Sequence, residues 1–180
     1  MRKLAMLFLV LFVAFPLSAQ AEWPEGVAAV QVEKGKTVEV KGNLETGKLI
    51  EDLTFASKSS VACFPATQNE KFRGNHVFFS TQIPPQSIMK ITVIPDDTSA
   101  DMSLYAYEIG TNNFTLPPDL AQCVTCEAEH KWDRPKKGKT QDHTRTVSVN
   151  AIRNPYNVVI GVAGPTGVTA GAFTLKIELQ

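Results

Sequence analysis

Asn157-Val158-Val159-Ile160-Gly161-Val162 is an apolar, β-branched run. After it, Phe173, Leu175, Ile177 and Leu179 alternate with Thr174, Lys176 and Glu178. The second pattern has period 2, the signature of a half-buried strand. Between the two lies Ala163-Gly164-Pro165-Thr166-Gly167-Val168-Thr169-Ala170-Gly171, too short for a crossover helix and rich in glycine. The simplest expectation is an antiparallel hairpin, with the rest of the chain supplying the surface it packs against.

Working outward, other segments carry the same β character. Residues 31–41 hold Val32, Val38 and Val40, and residues 49–57 hold Ile50, Leu53 and Phe55, partly in register. His76 opens a compact aromatic strand that runs to Ile83 and is broken by Pro84-Pro85, since proline cannot donate to a ladder. Met89, Ile91 and Val93 alternate up to a Pro95-Asp96-Asp97 turn. In residues 101–107, Met102, Leu104 and Ala106 share one face and Ser103, Tyr105 and Tyr107 the other. Residues 144–150 resume the pattern with Val147 and Val149. Residues 60–72 have no period and read as a loop or irregular edge. Residues 108–142 form a long irregular insertion, with any helix confined to a turn or two near 120–127. Frequent turns with no βαβ rhythm point to an all-β, two-sheet antiparallel sandwich.

The N-terminus has a different character. Met1-Arg2-Lys3 is basic, residues 4–15 are apolar, and Ala19 and Ala21 have the spacing that a signal peptidase reads. The expectation is a secretory signal over 1–21, cleaved after Ala21, then a single domain over 22–180 in the periplasm or outside the cell. No second long apolar run follows, so no integral span is expected after cleavage. Without Arg2 and Lys3 the 18 basic residues fall to 16 against 18 acidic ones, giving no global reason to bind nucleic acid or anionic lipid.

Two segments resemble a known family. Asp101-Met102-Ser103-Leu104-Tyr105-Ala106-Tyr107 is similar to the D-x-x-L-Y-x-Y strand of bacterial pre-peptidase C-terminal domains. Tyr156-Asn157-Val158-Val159-Ile160-Gly161-Val162, with Gly171-Ala172-Phe173-Thr174-Leu175-Lys176-Ile177, resembles their closing strand pair. The resemblance spans about residues 33–179 and implies a jelly-roll-like β-sandwich. Some members of that family bind collagen or other polymers and some bind calcium. No acidic cluster here matches a calcium site residue by residue, and residues 108–142 exceed the family's usual connection.

Cys123-Val124-Thr125-Cys126 is the sharpest local feature, and Cys63 makes the cysteine count odd. Three readings compete. Cys63 bonds to Cys123 or Cys126 and pins the insertion to the sandwich, as an oxidising compartment favours. Alternatively Cys123 and Cys126 close a local loop. In the third, Cys123, Cys126 and His130, with His143 as a fourth candidate, bind zinc. The tract from Lys131 to Lys139 offers a contact surface, with Trp132 to stack on a sugar or peptide and Arg134, Lys136 and Lys137 to meet anions. Against it stands a hydrated loop whose Trp132 folds back. Asp96, Asp97 and Asp101 cluster at one turn, as calcium ligands or as turn-formers. Asn113-Phe114-Thr115 matches a glycosylation sequon.

No Gly-x-Ser-x-Gly elbow or His-Glu-x-x-His occurs, and His76, His130 and His143 are the only imidazoles. The sequence therefore reads as a non-catalytic binding or adhesion module for a protein or polymer ligand, with no cofactor favoured. A structural assembly protein of the cell envelope is the alternative, followed by a metal or redox protein using Cys123 and Cys126.

Overall fold

A computed structural model describes residues 22–58, 62–64, 66–132 and 134–180. The expected signal, residues 1–21, lies outside the described residues. Ten strands follow in order: β1 (Ala28–Ala29), β2 (Thr37–Asn43), β3 (Lys48–Leu49), β4 (Asn75–Ile83), β5 (Ser87–Pro95), β6 (Ser103–Ile109), β7 (Thr125–Glu129), β8 (Arg145–Ala151), β9 (Tyr156–Ala163) and β10 (Ala172–Leu179). One sheet has the order β1-β4-β9-β6-β7, with β3 also on β4, and the other β2-β10-β5-β8. Among the described residues only the β1–β4 pairing is parallel. The expected all-β sandwich is what forms. Among the described residues no helix is long and apolar enough to cross a membrane.

The period-2 face of β10 behaves as read. Phe173, Leu175, Ile177 and Leu179 are buried, sharing one inter-sheet core with Met102 just before β6, Leu104 and Ala106 of β6, and Val158, Ile160 and Val162 of β9. Lys176 and Glu178 point outward, where Lys176 pairs with Glu178 at 3.3 Å and Glu178 with Lys90 at 3.6 Å.

The expected hairpin does not form. β9 lies between β4 and β6 in one sheet, while β10 lies between β2 and β5 in the other. The burial demands of the two strands explain this. Val158, Val159, Ile160 and Val162 are all buried, so β9 needs cover on both faces, whereas β10 needs it on one. The connecting segment crosses the sandwich and is held by Gly74 N–H to the Gly164 carbonyl at 2.8 Å and Asn75 N–H to the Val168 carbonyl at 3.1 Å.

Cover for the outer face of β6 and β9 comes from the aperiodic segments. Ile50, Leu53, Phe55, Phe64, Phe72 and Leu120 pack with Tyr105, Tyr107 and Val159 into a second core. The expected strand over 49–57 shrinks to the two residues of β3 and is followed by a 3-10 turn, Thr54–Ser57. Asp52 Oδ1 accepts the Thr54 N–H at 2.8 Å, an Asx turn that competes with strand continuation. Another 3-10 stretch, Ala66–Phe72, lies in the expected loop, and Phe72 stacks on Phe64 at 3.7 Å. Tyr105 lies across Gly161 of β9, where any Cβ would land inside its ring.

The insertion also departs from expectation. Its middle is strand rather than irregular chain: β7 pairs antiparallel with β6, placing Cys126 opposite Tyr107 and Glu127 opposite Ala106. Thr125, Glu127 and Glu129 therefore share the inner face with Leu104, Ala106 and Glu108. That face looks toward β8, the edge of the second sheet. Glu129 accepts the Thr146 N–H and Glu108 the Asn150 N–H. Carboxylates thus cap N–H groups along an edge that no strand among the described residues pairs with.

Candidate functional site

A cleft lies on the outer edge of β4. There β3 pairs with Asn75 and His76, and β1 with Phe79 and Ser80, so neither strand pairs with Val77 or Phe78. Ser80 accepts a bond from Val30 N–H on this edge at 2.8 Å, so by the two-residue period Phe78 turns its backbone the same way. Residues 24–27, 46–50 and 114–119 wall the interruption around a volume of about 560 Å³. Trp23 meets Phe114 edge-to-face at 5.2 Å, which ties the N-terminal lead to the insertion. Val27, Ile50, Val77, Phe78, Phe114 and Leu116 make the lining largely apolar, and exposed Glu25, Lys48 and Asp119 stand at its rim. Leu49, 52% exposed, lies among them with its side chain unburied.

His76 touches this cleft but is built into the fold. Its Nε2–H donates to the Phe72 carbonyl at 2.6 Å, so Nδ1 accepts from the Tyr105 hydroxyl at 2.8 Å. Burial pushes its pKa down to about 4, against the opposing pull of the Phe72 carbonyl. A neutral imidazole with both nitrogens engaged has no proton to exchange with a ligand near neutrality. The arrangement suits binding through shape and apolar contact.

Glu108 is perturbed in the opposite sense. Burial raises its carboxyl to about 7, partly offset by the Asn150 N–H. The two groups should give opposite pH dependences of stability. Glu108, raised above its ordinary 4.5, contributes stability that is full below about pH 4.5 and lost as pH rises through 7. His76, depressed from 6.5, contributes stability present above about pH 6.5 and lost as pH falls through 4. In Glu108→Gln the Glu108 contribution should vanish while the His76 slope remains. Relative to wild type, the variant should gain about 3 kcal/mol between pH 4 and 8 in denaturant titrations. An unchanged difference across that range would refute the Glu108 assignment.

The residues singled out from sequence do not converge. Cys63 and Cys126 form a disulfide, their Cα atoms 5.1 Å apart, which realises one of the two bridges expected. Cys126 so bonded supplies no thiolate to the Cys123, Cys126 and His130 zinc arrangement. Cys123 is half-buried, and burial pushes its thiol up, opposite to the shift that activates a redox nucleophile. His130 lies edge-on to Phe72 at 5.8 Å. Lys136 Nζ sits 5.1 Å from the ring centroid of half-buried Trp132, over the face that a sugar would use. Arg134 and Lys137 are exposed beside it.

The aspartates have separate partners: Asp96 with Lys41 at 3.1 Å, Asp97 with the Ser99 N–H at 2.9 Å, and Asp101 with Arg145 at 3.3 Å and His143 at 3.5 Å. Asn113 Oδ1 accepts the Thr115 N–H at 2.9 Å, shaping its own turn. The β4 cleft was missed because its walls come from three distant segments, none of them periodic. Glu108 carried a faint signal as an ionisable residue continuing the apolar face of Met102, Leu104 and Ala106.

No protein-family model matches the chain, and no curated protein matches it. Among solved structures it is similar to the pre-peptidase C-terminal domain of a collagenase from Bacillus anthracis. Identity is 10% and the TM-score 0.43, over 89% of this chain and 100% of that one. The likeness is one of fold. The expected resemblance recurs there, at an identity too low to carry residues across. A periplasmic inhibitor of g-type lysozyme from Aeromonas hydrophila is similar at 9% identity and a TM-score of 0.42, covering 86% of this chain and 97% of that one. So is CorA, a surface-associated copper-binding protein of Methylomicrobium album BG8, at 9% and 0.42, covering 86% and 98%.

Proposed function

We propose that this chain is an exported, non-catalytic binding module that holds an apolar part of a protein or polymer ligand in the β4 cleft. The observation that carries this reading is the interruption of edge pairing at Val77 and Phe78, inside an apolar cavity with a charged rim. Such a site can accept an anchoring side chain while Glu25, Lys48 and Asp119 meet polar groups around it. The disulfide suits an oxidising compartment, in keeping with the basic head and apolar run at the N-terminus.

The test is affinity capture from the native envelope, with wild type and Leu49→Asp side by side. Leu49 is more than half exposed, so the substitution should change stability by under about 0.5 kcal/mol. A specific ligand should be retained by wild type and lost by the variant. Equal retention by both would remove the cleft from the binding surface.

A further inference from the structure

The groove between β7 and β8, on the far side of the sandwich from the β4 cleft, has a chemistry of its own. Its volume is about 580 Å³, and Glu108, Val124, Glu127, Ser148 and Ile152 are among its lining. Glu108 is 1% exposed, and its Oε1 has no hydrogen-bond partner among the described residues. A buried carboxyl oxygen left without a donor is an unmet demand for one. Val124 and Ile152 stand at the groove 57% and 69% exposed, which is unusual for residues of their kind. Thr146 and Asn150 give their N–H groups to Glu129 and Glu108, so Ser148, midway between them, presents its backbone on the same edge.

We propose that this groove binds a cationic side chain, guanidinium or ammonium, carried on an extended peptide segment of a partner protein. Glu108 and Glu127 are the counter-charges, Val124 and Ile152 pack on the apolar stem and neighbours of the cation, and the Ser148 backbone meets that of the peptide. Charge complementarity decides the occupant. Glu108, Glu127, Arg153 and Tyr156 are the titratable or charged groups of the lining, and Arg153 lies beyond the end of β8 in the exposed turn toward β9. An arriving cation favours ionised Glu108, so binding should tighten as pH rises through 7.

The experiment is an NMR titration of amide shifts with acetyl-Val-Arg-Val-amide, and with acetyl-Val-Gln-Val-amide as the neutral control, at pH 6 and pH 8. The arginine peptide should give saturable shifts at Thr125, Ser148 and Asn150, with affinity rising up to about tenfold from pH 6 to 8. The neutral peptide should bind at least about tenfold more weakly, the size of a charge-assisted contact. Glu108→Gln should abolish the pH dependence. Glu127→Gln, at an exposed position, should weaken binding severalfold with the rest of the spectrum unchanged, and it serves if Glu108→Gln unfolds the domain. Absent saturation, equal affinity for the two peptides, or a pH-independent affinity in wild type would each overturn the proposal. Loss of binding at the β4 cleft in Leu49→Asp should leave these shifts intact, so the two sites fail separately.

Discussion

Replacing both Cys63 and Cys126 with Ser should lower the unfolding free energy by about 4 kcal/mol, the chain-entropy value for a loop of this length. The bonded residues are 63 apart in sequence, so without the bond a large loop opens and the unfolded chain regains its conformational freedom. The native consequence is also specific. Cys126 lies on β7 and Cys63 in the irregular layer over Tyr105 and Tyr107, so the bond joins that layer to the sheet beneath it. Equilibrium denaturation of the double variant against wild type, without reductant, measures the effect. A loss under about 1 kcal/mol would mean that the apolar contacts of Phe55, Phe64 and Phe72 hold the layer unaided.

Leu175→Ala should cost about 2 to 5 kcal/mol, and the neighbouring Lys176→Ala less than about 0.5. Leu175 is fully buried in the middle of β10, level with Val40 on one neighbour and Val93 on the other, and truncation leaves a cavity between two sheets. Lys176 faces solvent with one partner, Glu178. The same denaturant titration reads both variants. Equal, small effects would mean that the inner and outer faces of β10 are wrongly assigned.

These two predictions mark what was legible in the chain. Alternation in β10 and the two-faced pattern of β6 followed from side-chain period alone, because each face meets one kind of surroundings. The bond between two aperiodic segments followed from compartment and cysteine count. Its choice of Cys126 did not, since it depends on a strand whose inner face reads Thr125, Glu127 and Glu129. Hydrophobic period cannot reveal a strand that turns carboxylates toward a neighbouring edge. β9 misled for a related reason. A continuous apolar run states that both faces are covered, yet not by what, and here one cover is a layer of 3-10 turns and loops. The β4 cleft lay beyond any local pattern, as it exists only where residues 24–27, 46–50 and 114–119 meet.

The pairing of β2 has a consequence in time. Among the described strands its only neighbour is β10, with Thr37 opposite Glu178, so a strand that emerges early must wait for one that emerges much later. As earlier partners β4 has only the two-residue strands β1 and β3, and its long partner β9 also comes late. Long-range pairings of this kind close slowly, because the intervening chain must be gathered first. Until β9 and β10 have emerged, each sheet of a nascent chain lacks an interior strand, so the sandwich closes late in synthesis.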